Sequence, residues 1–263
     1  MKFTLRLLLL IFLTFNTACT KKDNEFEMSF MKLSREMQQN LSAKDIDEVK
    51  YEQIVRAFQL RMIKLINRHM PKASGDQKKM MSLLKVFLID VKNQDNKFDE
   101  VFNKFDAGFI YDFAEIKSVD DVKNNARLIT EFENVLTDYN NFFKNLSRKI
   151  KSESKALRAS SRAMQHFCRG LIRGVDTKEP AVDKLIKAYM PYLKVLAEFN
   201  SFLGEYLGKV TFENEHVVFE SNEETENYNK IIDNLEKQQL LLDAAVQEFI
   251  ESSISHVKSI DLN

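Results

Sequence analysis

Few residue types here could do chemistry, and their spacing argues against a catalytic or metal centre. The four histidines, His69, His166, His216 and His256, stand far apart, with no His-Glu-x-x-His pair, no Cys-x-x-Cys and no cluster at metal-ligand spacing. A lone histidine on a helix reads as packed or solvated. Gly170 and Gly174 do not make a phosphate-cradling loop. Ser160-Ser161 lies in a basic helical stretch without the glycines of a nucleophile elbow. Cys168 falls near Met164, Leu171 and Ile172 on an apolar face and reads as a buried thiol, because a nucleophile would want a nearby positive field. Asp120-Asp121 and Glu223-Glu224 are read as charges at helix starts rather than a carboxylate dyad. No catalytic, cofactor-binding or metal residue is nominated, and no enzyme is expected.

The chemistry that is legible is covalent modification of Cys19. Lys2 and Arg6 bracket the start of an apolar run that continues from Leu7 to Phe15, and Asn16-Thr17-Ala18 lead from it to the cysteine. This is the plan of a bacterial lipoprotein signal: a charged start, a short inserting segment, and a small residue marking the cut before a cysteine that receives lipid. Asn16 departs from the aliphatic residue usual at the third position before that cysteine. The run from Leu5 to Phe15 is too short to cross roughly 30 Å of hydrocarbon, which takes about 20 residues, so cleavage of residues 1–18 is expected. Residues 19–25 then form a polar tether, Thr20-Lys-Lys-Asp-Asn-Glu25 after the cysteine. Several acyl chains on Cys19 would give lasting attachment to a membrane. Thr20, standing where an Asp would retain the protein, points to the outer membrane facing the periplasm rather than the inner membrane.

Removing residues 1–18 takes away Lys2 and Arg6 and no acid, leaving 37 basic and 39 acidic side chains and a formal charge of −2. The signs alternate along the chain, whereas a polyanion needs a basic surplus or stripe, so no nucleic-acid partner is expected. With Cys19 acylated, Cys168 has no partner for an internal disulfide. The fold must stand on packing alone.

The elements that do this packing are helices. Glycine and proline number only 6 and 3, which implies few tight turns and long regular segments. Between Asp76 and Phe105 apolar residues recur at Met80, Leu84, Phe87, Val91, Phe98, Val101, Phe102 and Phe105, close to the 3.6-residue period. Val122, Ala126, Ile129, Phe132, Leu136, Tyr139, Phe143, Leu146 and Ile150 repeat the pattern, as do Tyr228, Ile231, Leu235, Leu242, Ala245 and Phe249. Weaker patterns cover Ala43–Met70, Ser152–Arg173 and Lys178–Leu207. Ser118 before Asp120-Asp121, and Ser221 three residues before Glu224, mark helix starts. Pro71 with Ser74-Gly75 separates two helices, and Pro191, inside a helical pattern, should bend or divide one. The expectation is a mainly α fold: an elongated antiparallel bundle, one α-helical domain over 26–263, with one small β-hairpin near 210–220.

That hairpin is read from Val210 to Glu220, where apolar and polar residues alternate about turn formers. A two-residue turn at Glu215-His216 would put Val210, Phe212, Val217 and Phe219 on one face, and that face should pack on the bundle. In this region the chain resembles the YiaF-like lipoproteins of enterobacteria, a family of unknown function. Thr177 through Pro180, Leu185-Ile186, Pro191, the Tyr206 region, Val210-Thr-Phe212, Val217-Val-Phe219 and Glu226-Asn-Tyr-Asn-Lys-Ile-Ile232 follow the family's order and spacing, as do Met70-Pro71 and Asp76-Gln-Lys-Lys79. Where the family has Asn-Gly in the hairpin turn, this chain has Glu215-His216, without the glycine that tolerates positive φ. The resemblance implies an envelope lipoprotein and carries no catalytic residues.

Two compositional features bear on function. The chain holds 21 Phe and no Trp, with Phe98, Phe102, Phe105, Phe109 and Phe113 crowded together. These would build a bundle core, or else line a groove for a lipid or small apolar ligand. Lys144, Arg148, Lys149, Lys151, Lys155, Arg158 and Arg162 face only Glu153 in the run 144–162. Such runs are usually solvated faces, though beside a membrane they can meet anionic headgroups. The expected function is that of a membrane-tethered envelope lipoprotein acting in interaction or scaffolding, with the membrane through Cys19 and an envelope protein as partners. The alternative is a carrier for a lipid or small apolar ligand in the Phe-rich groove.

Overall fold

The computed structural model describes residues 24–42, 48–157, 162–213 and 216–258. These form six helices and a two-stranded antiparallel sheet: α1 (Asn24–Leu41), α2 (Glu48–His69), α3 (Gly75–Gly108), α4 (Val119–Leu157), α5 (Arg162–Tyr206), β1 (Thr211–Glu213), β2 (His216–Val218) and α6 (Asn222–Lys258). The fold is therefore a helical bundle with one small hairpin. Residues 1–18 and Cys19, expected as signal and lipidation site, lie outside the described residues. Helix α1 opens at Asn24, so Asn24 and Glu25, expected in the tether, are helical.

The chain divides into two compact units. The first comprises Lys97–Tyr139 and Asp183–Gln247, taking in the end of α3, the start of α4, the end of α5, the hairpin and most of α6. The second comprises the described residues through Asn96, Asn140–Val182, and those from Glu248 onward.

On α4 the apolar series behaves as its period demands: Ile129, Phe132, Leu136, Tyr139, Phe143, Leu146 and Ile150 are all buried. Ala126 is exposed, and its neighbour Asn125 is wholly buried instead. The amide of Asn125 explains the exchange. Its Oδ1 accepts from the Ile110 N–H at 3.0 Å and its Nδ2 donates to the Ile110 carbonyl at 2.9 Å. One buried side chain thus satisfies both backbone groups of a residue in the connection between α3 and α4, where no helix can.

Helix α5 is not divided at Pro191. Ser152 to Leu157 close α4, while α5 runs unbroken from Arg162 to Tyr206, through Pro180 and Pro191. Cys168, Val175, Val182, Tyr189, Leu196 and Leu203, each seven residues after the last, are all buried. This heptad stripe makes continuation more favourable than interruption. Pro191 is on the exposed side, so the hydrogen bond it cannot donate to the Lys187 carbonyl is lost where water replaces it.

The marked helix starts are realised. The Ser118 hydroxyl accepts from the Asp121 N–H at 3.2 Å and Asp121 accepts from the Ser118 N–H at 2.8 Å. The Ser118 hydroxyl, with the Lys117 backbone, holds the Asp121 carboxyl below the ordinary carboxylate range. Ser221 and Glu224 make the same reciprocal pair at 3.0 and 3.3 Å. At the other end of α5, Gly208 adopts φ of 77°, and the Lys209 N–H donates to the Tyr206 carbonyl at 2.9 Å. That left-handed step turns the chain toward β1 at no side-chain cost.

The hairpin register pairs Thr211 with Val218, Phe212 with Val217 and Glu213 with His216. It closes one residue earlier than the expected Glu215-His216 turn, and His216 lies in β2; residues 214–215 are outside the described residues. The shift by one on both strands keeps Val210, Phe212, Val217 and Phe219 on one face. Phe219 is buried in a cluster with Phe113, Ile116, Phe199, Phe202 and Leu203, against which Val210 and Val217 also pack. Phe212 stays 46% exposed, its ring 6.1 Å from that of Phe113.

Phe132→Ala should lower stability by about 3–5 kcal/mol, the cost of an aromatic-sized cavity. Asn125→Ala should cost about 1–3 kcal/mol, since it strands the Ile110 backbone. Urea denaturation followed by circular dichroism checks both, and an Asn125→Ala midpoint equal to the parent's would show that the bridge carries no weight.

Candidate functional site

The residues singled out for chemistry are dispersed. Cys168 is a fully buried thiol on α5, in no disulfide. His69, at the end of α2, meets the ring of Phe26 edge-on at 5.8 Å, and His216 is exposed in β2. The side chains of His166 and His256 lie outside the described set. Asp121 and Glu224 are engaged in caps. Among the described residues no group of three or more His, Cys, Asp or Glu could hold a metal ion.

The phenylalanines expected as core or groove are drawn together in the first unit. Phe98 lies 6.1 Å from Phe102, 5.8 Å from Phe132 and 5.9 Å from Tyr139. Phe105 stacks with Phe109 at 5.1 Å and reaches Phe132 at 5.0 Å. Beyond them Phe202, Tyr206, Phe219 and Tyr228 form a second set at 4.4–5.8 Å. These spacings are those of favourable edge-on and offset pairs. Each of these rings is in contact with other rings.

Two cations of the basic run 144–162, Lys149 and Lys151, are drawn into ion pairs. Lys149 reaches Asp90 at 3.7 Å, and Lys151 reaches Asp176 at 2.8 Å and Glu179 at 3.7 Å. Ser147 donates to the same Glu179 at 2.7 Å. The hydrogen bond to Asp176 holds the Lys151 ammonium above its ordinary range. Arg158 lies outside the described residues. Partly exposed pairs of this kind contribute little stability each, but they do commit these cations to neighbours on the protein.

A different basic site was not legible beforehand. Helices α1 and α2 form a hairpin whose partners run in opposite directions: Phe26 meets His69, and Glu36 meets Arg61 at 2.6 Å. Between them is a cleft of about 380 Å³ lined by Ser29, Lys32 and Leu33 from α1 and Arg61, Lys64, Leu65 and Arg68 from α2. On each helix these positions follow the i, i+3, i+4 spacing of a single face. Four cations line the cleft and no acid does. Glu36 answers Arg61, while no acid among the described residues pairs with Lys32, Lys64 or Arg68. A signal for it does exist in the sequence: from Gln53 to Gly75 there are five Lys and Arg and no Asp or Glu. Lys32, some thirty residues earlier, completes the set only when the hairpin forms.

The chain matches no family model, no curated protein and no solved structure. The reading of its sites therefore rests on its own residues.

In the chain beginning at Thr20, Cys168 is the sole thiol, and its burial should keep it from a soluble thiol reagent in native buffer and release it fully in urea. Prompt labelling without denaturant would mean that this part of α5 opens readily.

Proposed function

We propose that the protein is a lipid-anchored component of the bacterial envelope, held through Cys19, that acts by interaction or scaffolding rather than by catalysis. The observation that carries this reading is the direct succession of signal, cysteine, short polar tract and helical body. Four residues lie between Cys19 and Asn24, where α1 begins, and the five steps, at no more than roughly 3.6 Å each, allow about 18 Å between lipid and body. A body so tethered works at the membrane surface. Among the described residues no helix is long and apolar enough to cross a membrane. The resemblance to the YiaF-like family supports the same placement, and Thr20 after the cysteine favours the outer membrane facing the periplasm.

The mutual contacts of the phenylalanines support a body whose aromatic residues serve stability. The carrier reading, in which they would enclose a lipid or small apolar ligand, is tested alongside. Protein purified from bacterial membranes should show an intact mass beginning at Cys19 plus acyl chains, and a Cys19→Ala version should lack them. Cross-linking in cells should recover one specific envelope protein. An unmodified, soluble periplasmic product would defeat the anchor. Lipid recovered by organic extraction of the natively purified Cys19→Ala protein, which carries none covalently, would turn the reading to the carrier.

A further inference from the structure

We propose that the cleft between α1 and α2 binds the phosphate headgroup of an anionic lipid in the membrane to which the tether holds the chain, an inference that rests on the anchored reading above. Lys32, Lys64 and Arg68 line the cleft without an acid partner among the described residues, and Arg61 is balanced only by Glu36. Uncompensated cations converging on one cleft attract an anion far more than the same charges scattered over a surface. Phosphate suits this set, because an arginine fork matches its oxygens and lysines add charge from either side. Ser29 adds a hydroxyl that can donate to the same oxygens. Beneath them Leu33 is buried and Leu65 partly so, giving an apolar floor for the glycerol and first methylenes of a lipid. At about 380 Å³ the cleft has room for a headgroup and not for whole acyl chains.

Its place in the chain selects a membrane lipid as the source of the phosphate. Phe26 against His69 puts the first turns of α1 beside the last turns of α2, so the cleft lies at the tether end of the hairpin. Ser29 is five residues into α1, about 8 Å along its axis. Together with the tether, the cleft is held within roughly 26 Å of the acylated cysteine. The acyl chains supply attachment, and the cleft would fix which face of the body meets the bilayer.

The test uses the chain beginning at Thr20, which keeps every described residue and carries no lipid. It should float with vesicles of phosphatidylcholine and phosphatidylglycerol at low salt, and not with phosphatidylcholine alone. The Lys64→Gln/Arg68→Gln variant should bind more weakly by about fivefold for each cation removed. Lys123→Gln/Lys187→Gln makes the same change in net charge elsewhere and should bind like the parent. Equal losses in the two variants, or no flotation at all, would overturn the proposal. Inorganic phosphate alone should leave the Tm almost unmoved; a rise matching that from the anionic vesicles, without flotation, would assign the cleft to a soluble phosphate ester and overturn the membrane source. The anchor is judged separately. Vesicle binding with an unmodified Cys19 in cells would remove the tether and keep the cleft, whereas acylated Cys19 with no vesicle binding would remove the cleft alone.

Discussion

A helix of 45 residues survives in water only if one stripe of its surface stays buried along its length, and that requirement governs α5. Cys168, Val175, Val182, Tyr189, Leu196 and Leu203 occupy the stripe at strict seven-residue intervals. Each large apolar side chain there is worth about 1.5–3 kcal/mol of burial. Against this stand two prolines, at about 3 kcal/mol each in a helix interior, and three glycines at about 1 kcal/mol each. The stripe alone is of comparable or larger size, and its flanking residues Leu185, Ile186, Leu193 and Phe199 are buried too. Burial therefore wins over local propensity.

The same contest has another outcome between α3 and α4. The connection from Phe109 to Ser118 buries Phe109, Phe113 and Ile116, and backbone buried with them needs partners. Asn125 supplies them for Ile110, Asp112 accepts from the Ala114 N–H at 2.8 Å, and Asn124 donates to the Gly108 carbonyl at 3.3 Å. Here the apolar period on α4 gives way to a buried amide. The aromatic cluster below the hairpin depends on it, because Phe113 and Ile116 reach that cluster from this connection.

What could be read from the sequence follows from the range over which each signal acts. Caps are contacts across three residues, so Ser118 and Ser221 were legible from spacing. The hairpin was legible from alternation, but alternation repeats every two residues and cannot separate registers that leave the same side chains on one face. The opposite edge of legibility is Pro191. Its local cost is plain in the sequence, whereas the burial that overrides it depends on residues brought in from elsewhere. Asn125 was hidden because a polar residue one place from an apolar series reads as a solvent position until its partner at Ile110 is known. The cleft was hidden for the same reason, with Lys32 and the Arg61–Arg68 face separated by a connection that periodicity does not describe.

Net charge is a poor guide to such a site. A formal net charge of zero gives the chain as a whole no positive field, yet screening confines each charge to about 10 Å at ordinary salt, so what a ligand meets is decided locally. In the run 144–162, Lys149 lies within reach of Asp90 and Lys151 of Asp176 and Glu179, so the fields of these two cations close on the protein. No acid lines the cleft between α1 and α2, and Lys32, Lys64 and Arg68 have no acid partner among the described residues. Antiparallel pairing produces this asymmetry. It brings the acid-free end of α2 alongside α1, so that Lys64 and Arg68 share one cleft with Lys32.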